Sequence, residues 1–172
     1  MEEEKVKEVE NVNFNNNEVK NGTDKKKNLI ITFVIIAVAT LAFIGGMILL
    51  NGESLNNSAD ELLNRKLVEL TNELNKTTPY MIDKNTRLDN SIVKPGKTIS
   101  YNYSVIGYSE EELKATFTAE VIEYQKGLLV NSVKTLPELQ FFRDNEINLE
   151  YVYKTESGAH LATIKIPYSL YK

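Results

Sequence analysis

Cysteine is absent from this 172-residue chain, and histidine occurs once, at position 160. The missing cysteine excludes disulfides, thiol catalysis, cysteine-based zinc sites and lipid attachment through sulfur. Any folded part is therefore held by packing alone. A single histidine cannot build an all-imidazole metal site within one chain. No glycine-rich phosphate loop, metal-ligand spacing or nucleotide fingerprint occurs either, so no metal and no cofactor are expected. An excess of one charge is also lacking. The formal charge is −4, and from Gly52 onward 14 Lys/Arg stand against 17 Asp/Glu. Without a basic stripe interleaved with aromatics, nucleic acid is not an expected partner.

What the chain does have is one long apolar run, Leu29 to Leu50, with no charge, amide or proline in 22 residues. As a helix it spans about 33 Å, enough to cross a hydrocarbon core of roughly 30 Å. A cleaved secretory signal has a shorter apolar stretch followed by a small-x-small site. This run is longer and ends in Gly-Gly-Met-Ile-Leu-Leu, so an uncleaved anchor is expected. Lys25, Lys26 and Lys27 abut its start, and no Lys or Arg follows it until Arg65. Positive residues stay on the cytoplasmic side, which makes the chain single-pass, N-terminus in and C-terminal part out. Ala42 and Gly46 form a small-xxx-small pair. It either packs two spans into a weak homodimer or reflects the ordinary frequency of small residues in such helices.

Four regions follow. Residues 1–28 are polar and Asn-rich and bury too little to offset the entropy of ordering, so a disordered cytoplasmic tail is expected. Residues 29–50 are the transmembrane helix, 51–57 a short linker, and 58–172 one extracytoplasmic domain. In that domain Ser58 with Glu61 reads as a capping box. Ala59, Leu63, Leu67, Leu70 and Leu74 then place one apolar stripe on a helix over 58–76, packed on a sheet or serving as a short stalk for oligomerisation. Strands are expected at about 85–93 and 98–106, joined by Lys94-Pro95-Gly96-Lys97. Pairing Lys94 with Lys97 sets Ile92 against Ile99 and Leu88 against Tyr103. It puts Ile99, Tyr101, Tyr103 and Val105 on one face, although a Pro-Gly turn leaves room for a slip of one residue.

Ser109 with Glu112 opens a second helix carried by Leu113, Phe117, Val121, Tyr124 and Leu128 to about Asn131. Thr135 with Glu138 opens a third, short one. The last strands, 147–154 and the segment after Gly158, pair Lys154 with Ala159, Tyr151 with Ala162 and Leu149 with Ile164. His160 then stands opposite Tyr153, as a rim residue or a pH-sensitive contact. The order is α-β-β-α-α-β-β, an α+β ectodomain with an antiparallel sheet packed by helices.

Candidate site residues are few. At period two, Asp83, Asn85, Arg87 and Asp89 share a strand face. That acid–Arg–acid row is either a seat for a polar ligand or partner, or charge that guards a strand edge. Tyr101 and Tyr103 are core residues by default, and become an amphipathic binding surface if no helix covers their face. No nucleophile, base and orienting group form an evident catalytic set.

The segments Ile82–Asp89, Pro95-Gly96-Lys97, Tyr101-Asn102-Tyr103, Arg143-Asp144-Asn145 and Leu149-x-Tyr151-x-Tyr153 together resemble a group of small bacterial envelope proteins of unassigned function, over residues 60–168. The resemblance implies a bacterial envelope α+β domain, and it implies no activity. The leading expectation is a membrane-anchored module that binds another envelope protein near the bilayer. The alternatives are an enzyme with an unrecognised polar site and an oligomerising structural subunit.

Overall fold

The computed structural model describes residues 59–172. The tail, the apolar run, the linker, Ser58 and Lys25–Lys27 lie outside them. Among the described residues no helix is long and apolar enough to cross a membrane.

Helix α1 (Ala59–Asn75) buries Leu67, Leu70 and Leu74, with Leu63 packed beside them. The stripe seen in the sequence is thus consumed inside the domain and is not left as a free stalk. Strand β1 (Tyr80–Met81) adds a two-residue edge, then β2 (Thr86–Lys94) and β3 (Thr98–Val105) form a hairpin. Helix α2 (Glu110–Thr116), helix α3 (Ala119–Thr135), a 3-10 turn (Pro137–Leu139) and helix α4 (Gln140–Asp144) follow. Strands β4 (Asn148–Thr155) and β5 (His160–Ile166) and a second 3-10 turn (Tyr168–Leu170) complete the chain.

The sheet runs β1-β2-β3-β4-β5 and is mixed, because β3 and β4 are parallel neighbours. This corrects the all-antiparallel expectation. A tight turn can join only antiparallel strands, and the long helical connection from β3 to β4 lets the chain return and run in the same direction. The crossover also sets Tyr101 opposite Tyr151 and Tyr103 opposite Tyr153.

Both hairpin registers differ from expectation. Near the turn, Lys94 faces Thr98 and Val93 faces Ile99, a slip of one residue. Gly96 and Lys97 both take positive φ, 77° and 52°, so the turn uses three residues where two were assumed. A bulge between Leu88 and Asn90 then absorbs the extra residue and restores Leu88 opposite Tyr103, as expected. In the second hairpin Tyr151 faces Ile164 and Leu149 faces Ile166, a slip of two that keeps these residues on the core face, and a bulge between Tyr153 and Lys154 shifts the pairing by one at the loop end. Lys154, rather than Tyr153, stands opposite His160.

The helix expected over 109–131 is broken. The Ser109–Glu112 capping box is present, but α2 ends at Thr116, and Thr118 caps a new helix through its hydroxyl. The break resets the helical phase. The buried stripe of α3 becomes Gln125, Leu129 and Val133, and Tyr124 is left exposed. The Thr135–Glu138 box does not form, since α3 runs through Thr135 and the 3-10 turn has no side-chain cap.

One core unites α1, α3 and α4 with one face of the sheet. Leu88, Ile99, Tyr101, Tyr103, Val105, Leu149, Tyr151, Tyr153, Ile164 and Ile166 supply that face, all essentially without solvent exposure. The outer edge of β2 is blocked by a side chain. The Asn75 carboxamide accepts from Ser91 N and donates to Ser91 O, both at 2.7 Å, imitating one residue of a neighbouring strand.

Candidate functional site: the polar face of the sheet

The face turned away from the helices is built in cross-strand rows. The pairing places Ser100, Glu150 and Lys165 in one row, with Ile92 opposite Ser100. Asn90, Asn102, Val152 and Thr163 form the next. Arg87, Ser104, Lys154 and His160 form the third. The bulge lets two consecutive residues, Asp89 and Asn90, both serve this face, and Asn102 donates to Asn90 Oδ1 at 2.7 Å.

Two carboxylates anchor the rows. Asp89 accepts from Arg87 Nε at 2.6 Å through one oxygen and from Ser104 Oγ at 2.6 Å through the other. Glu150, nearly buried, accepts from Ser100 Oγ at 2.9 Å and pairs with the Lys94 ammonium. Burial alone would push the Glu150 carboxyl up. The hydrogen bonds from Lys94 and Ser100, with the charges of Lys94 and Lys165, outweigh it and hold the group below the usual range. Ser100 and Ser104 are themselves buried between these longer chains. Neither is presented as an exposed nucleophile.

The expected residues divide between three places. Arg87 and Asp89 come together on the polar face, as their spacing required. Asp83 does not join them, because the strand starts only at Thr86. Its Oδ1 accepts from the backbone N–H of Asn85 at 2.6 Å and of Thr86 at 2.8 Å, so it closes the turn that leads into β2. Asn85 likewise ties this turn to Ile106, with its Nδ2 donating to Ile106 O at 3.0 Å. Tyr101 and Tyr103 lie on the opposite face, fully buried. Their rings stack with those of Tyr151 and Tyr153 at centroid distances of 5.2–6.4 Å. The helices cover the tyrosine face, so the condition for an amphipathic tyrosine surface is not met there. His160 is exposed, its Nε2 2.9 Å from Thr163 Oγ1.

Glu150, Lys94 and Ser100 were missed by sequence reasoning. Glu150 lies 50 positions from Ser100 and 56 from Lys94, and the parallel β3–β4 pairing brings it to them. Among the described residues no group of three or more His, Asp or Glu is placed to hold a metal ion. A shallow groove of about 460 Å³ runs along the outer side of α1, lined by Asn64, Arg65, Val68, Asn72 and Lys76, and it shares no residue with the polar face.

The fold recurs elsewhere. The crystal structure of a candidate secreted protein from Pseudomonas aeruginosa is similar, with a TM-score of 0.53 at 18% identity. The match covers 70% of this chain and 100% of that one. At that identity the likeness is one of fold. No curated protein matches the chain. A family model spans residues 61–162, from the first turn of α1 into β5, and by that match the chain belongs to the family described as a domain of unknown function (DUF8479).

Proposed function

We propose that this protein is a membrane-anchored binding module, whose extracytoplasmic domain uses its polar sheet face to hold another envelope protein near the membrane surface. One observation carries the reading: the face opposite the helices presents ordered cross-strand rows of hydrogen-bonding side chains. Flat polar surfaces suit a protein partner better than a small substrate. The face also has a charge bias. Arg87 pairs with Asp89 and Lys94 with Glu150, while Lys154 and Lys165 exceed the carboxylates on these rows, on a chain whose total charge is −4. A partner with an acidic patch fits it. The anchor rests on Leu29–Leu50 and its lysine flank, and the similar fold of a candidate secreted protein supports an extracytoplasmic setting.

A carboxylate beside a tyrosine hydroxyl in a cleft would favour the enzyme reading. Here the sheet itself separates Asp89 and Glu150 from the buried tyrosines.

The test uses the full chain in membranes. Asn102→Arg, at the centre of the face, and Lys165→Glu, at its positive side, should each abolish recovery of the partner by gentle detergent pull-down. Asn131→Arg, on the exposed side of α3, should leave recovery unchanged. Retention by the two sheet variants, or equal loss in all three, refutes the reading.

A further inference from the structure

The chain enters this domain at one marked end. Lys97 Nζ lies 3.1 Å from Asp60 Oδ1, which holds the first turn of α1 beside the β2–β3 turn. Asn148 knits two more segments to the same place. Its N–H donates to Lys97 O and its Nδ2 to Gly96 O, each at 2.8 Å, and its Oδ1 accepts from Tyr168 N at 2.9 Å. The start of α1, the β2–β3 turn, the start of β4 and the C-terminal 3-10 turn therefore form one pole of the domain. The β4–β5 loop, residues 156–159, lies at the opposite pole, one strand length away. At about 3.3 Å per residue that length is roughly 25 Å.

Eight residues, 51–58, separate Leu50 from Ala59. At no more than about 3.6 Å per residue they reach roughly 30 Å, so a span ending at Leu50 keeps this pole close to the bilayer. The pole also has the chemistry of an interfacial contact. Leu170 is 38% exposed and Tyr168 is half-buried. Lys172 is held in the same turn by its N–H on Tyr168 O, and Lys97 stands across the pole. A tyrosine, an aliphatic chain and long ammonium side chains suit the headgroup layer, where apolar stems sink and polar tips stay wet. Asp144 and Glu146 precede β4 at the same end, so the contact does not depend on net positive charge, and zwitterionic lipid suffices.

We propose that this pole rests on the phospholipid surface, so that the strands stand away from the bilayer. The placement rests on the anchored reading above and deepens it. The row of Ser100, Glu150 and Lys165 is then nearest the lipid, and the row of Arg87, Ser104, Lys154 and His160 is farthest from it. The polar face stands upright, open to a partner that rises beside it from the same membrane.

Because the chain has no cysteine, one introduced cysteine is a unique labelling site. Ser169→Cys at the pole and Glu156→Cys in the opposite loop are both at exposed positions. The full chain is reconstituted in phosphatidylcholine vesicles with a donor dye at either site and an acceptor on the lipid headgroups. Energy transfer should place position 169 about 20–25 Å closer to the headgroups than position 156. Adding Leu170→Glu to the Ser169→Cys chain should move position 169 outward, because it puts a charge into the contact. Equal distances at the two positions, a nearer position 156, or a Leu170→Glu chain that stays as close each overturn the placement. Flotation separates this from the anchor. A chain that floats with the vesicles yet gives one of those results refutes the placement alone, and a chain that does not float refutes the anchor and the placement together.

Discussion

Raising the pH should unfold this domain steeply, and the structure sets the slope. Burial pushes the Tyr101, Tyr151, Tyr153 and Tyr171 hydroxyls well above the ordinary tyrosine range, and neighbouring tyrosines add to the effect at 101, 151 and 171. In the unfolded chain the same groups ionise near pH 10. Below that value both states are protonated and the groups contribute no pH dependence. Above it the unfolded state sheds protons that the folded state keeps, and stability is lost until the folded groups themselves ionise. Each such group costs about 1.4 kcal/mol per pH unit, so four cost about 5 kcal/mol per unit. A domain of this size holds roughly 6–17 kcal/mol in total, at about 0.05–0.15 kcal/mol per residue. Unfolding between about pH 11 and 13 follows.

Urea titrations at a series of alkaline pH values, read by circular dichroism, give the slope directly. Tyrosinate absorbance followed in parallel should rise together with the loss of ellipticity. Tyr153→Phe should flatten the slope by about a quarter, since one of the four groups is then missing. If these tyrosines ionise near pH 10 while the ellipticity stays native, the rings are open to solvent and the core described above is wrong.

Acid acts on the other face with the opposite sign. The Glu150 carboxyl is held below its ordinary value, so its contribution is present above about pH 4.5 and is lost as pH falls through the folded value. With Lys94 partly exposed the loss is about 1 kcal/mol, and Glu150→Gln should flatten the acid limb of a urea-midpoint profile. Asn75→Ala strips Ser91 of both backbone partners and should cost about 1–3 kcal/mol by urea denaturation. Gln125 is buried on α3 with neither amide atom partnered among the described residues, so Gln125→Met should raise stability by about 1–2 kcal/mol in the same assay.

The faces of the sheet could be read from the sequence, whereas its neighbours and registers could not. Alternation at period two assigned Ile99, Tyr101, Tyr103 and Val105 to the core side correctly, because parity is set by the pleat of each strand on its own. Parity is blind to a slip of two, which is why β4 and β5 kept their faces while Tyr151 moved from Ala162 to Ile164. It is also blind to which strands adjoin, so the parallel β3–β4 contact, and with it the Glu150 cluster, had no local signal. The break at Phe117–Thr118 shows a different limit. The apolar spacing Leu113, Phe117, Val121, Tyr124 runs unbroken across two helices, yet the Thr118 cap restarts the phase and turns Tyr124 to solvent. At the site, Arg87 and Asp89 were legible because two residues along one strand suffice to join them. Asp83 was not, because a carboxylate that caps a turn and one that extends a strand row look alike in sequence.

Salt offers a test of how the polar face works. Asp89 and Glu150 are each matched by a cation within the domain, so the field that a partner feels comes mainly from the unmatched surplus around Lys154 and Lys165. On the proposed reading, two surplus charges steer an acidic partner, and they are screened beyond about 10 Å at 0.1 M ionic strength. Raising salt from 0.05 to 0.5 M should therefore slow association by about tenfold and leave dissociation nearly unchanged, because rim charges act on encounter more than on the docked complex. Lys154→Glu with Lys165→Glu should bring the slow rate to low salt and remove the salt dependence. Surface plasmon resonance with the recovered partner measures both rates. A dissociation rate that climbs with salt instead would place the charges at the centre of the contact, and the uncharged Asn90–Asn102–Thr163 row could not then be what holds the partner.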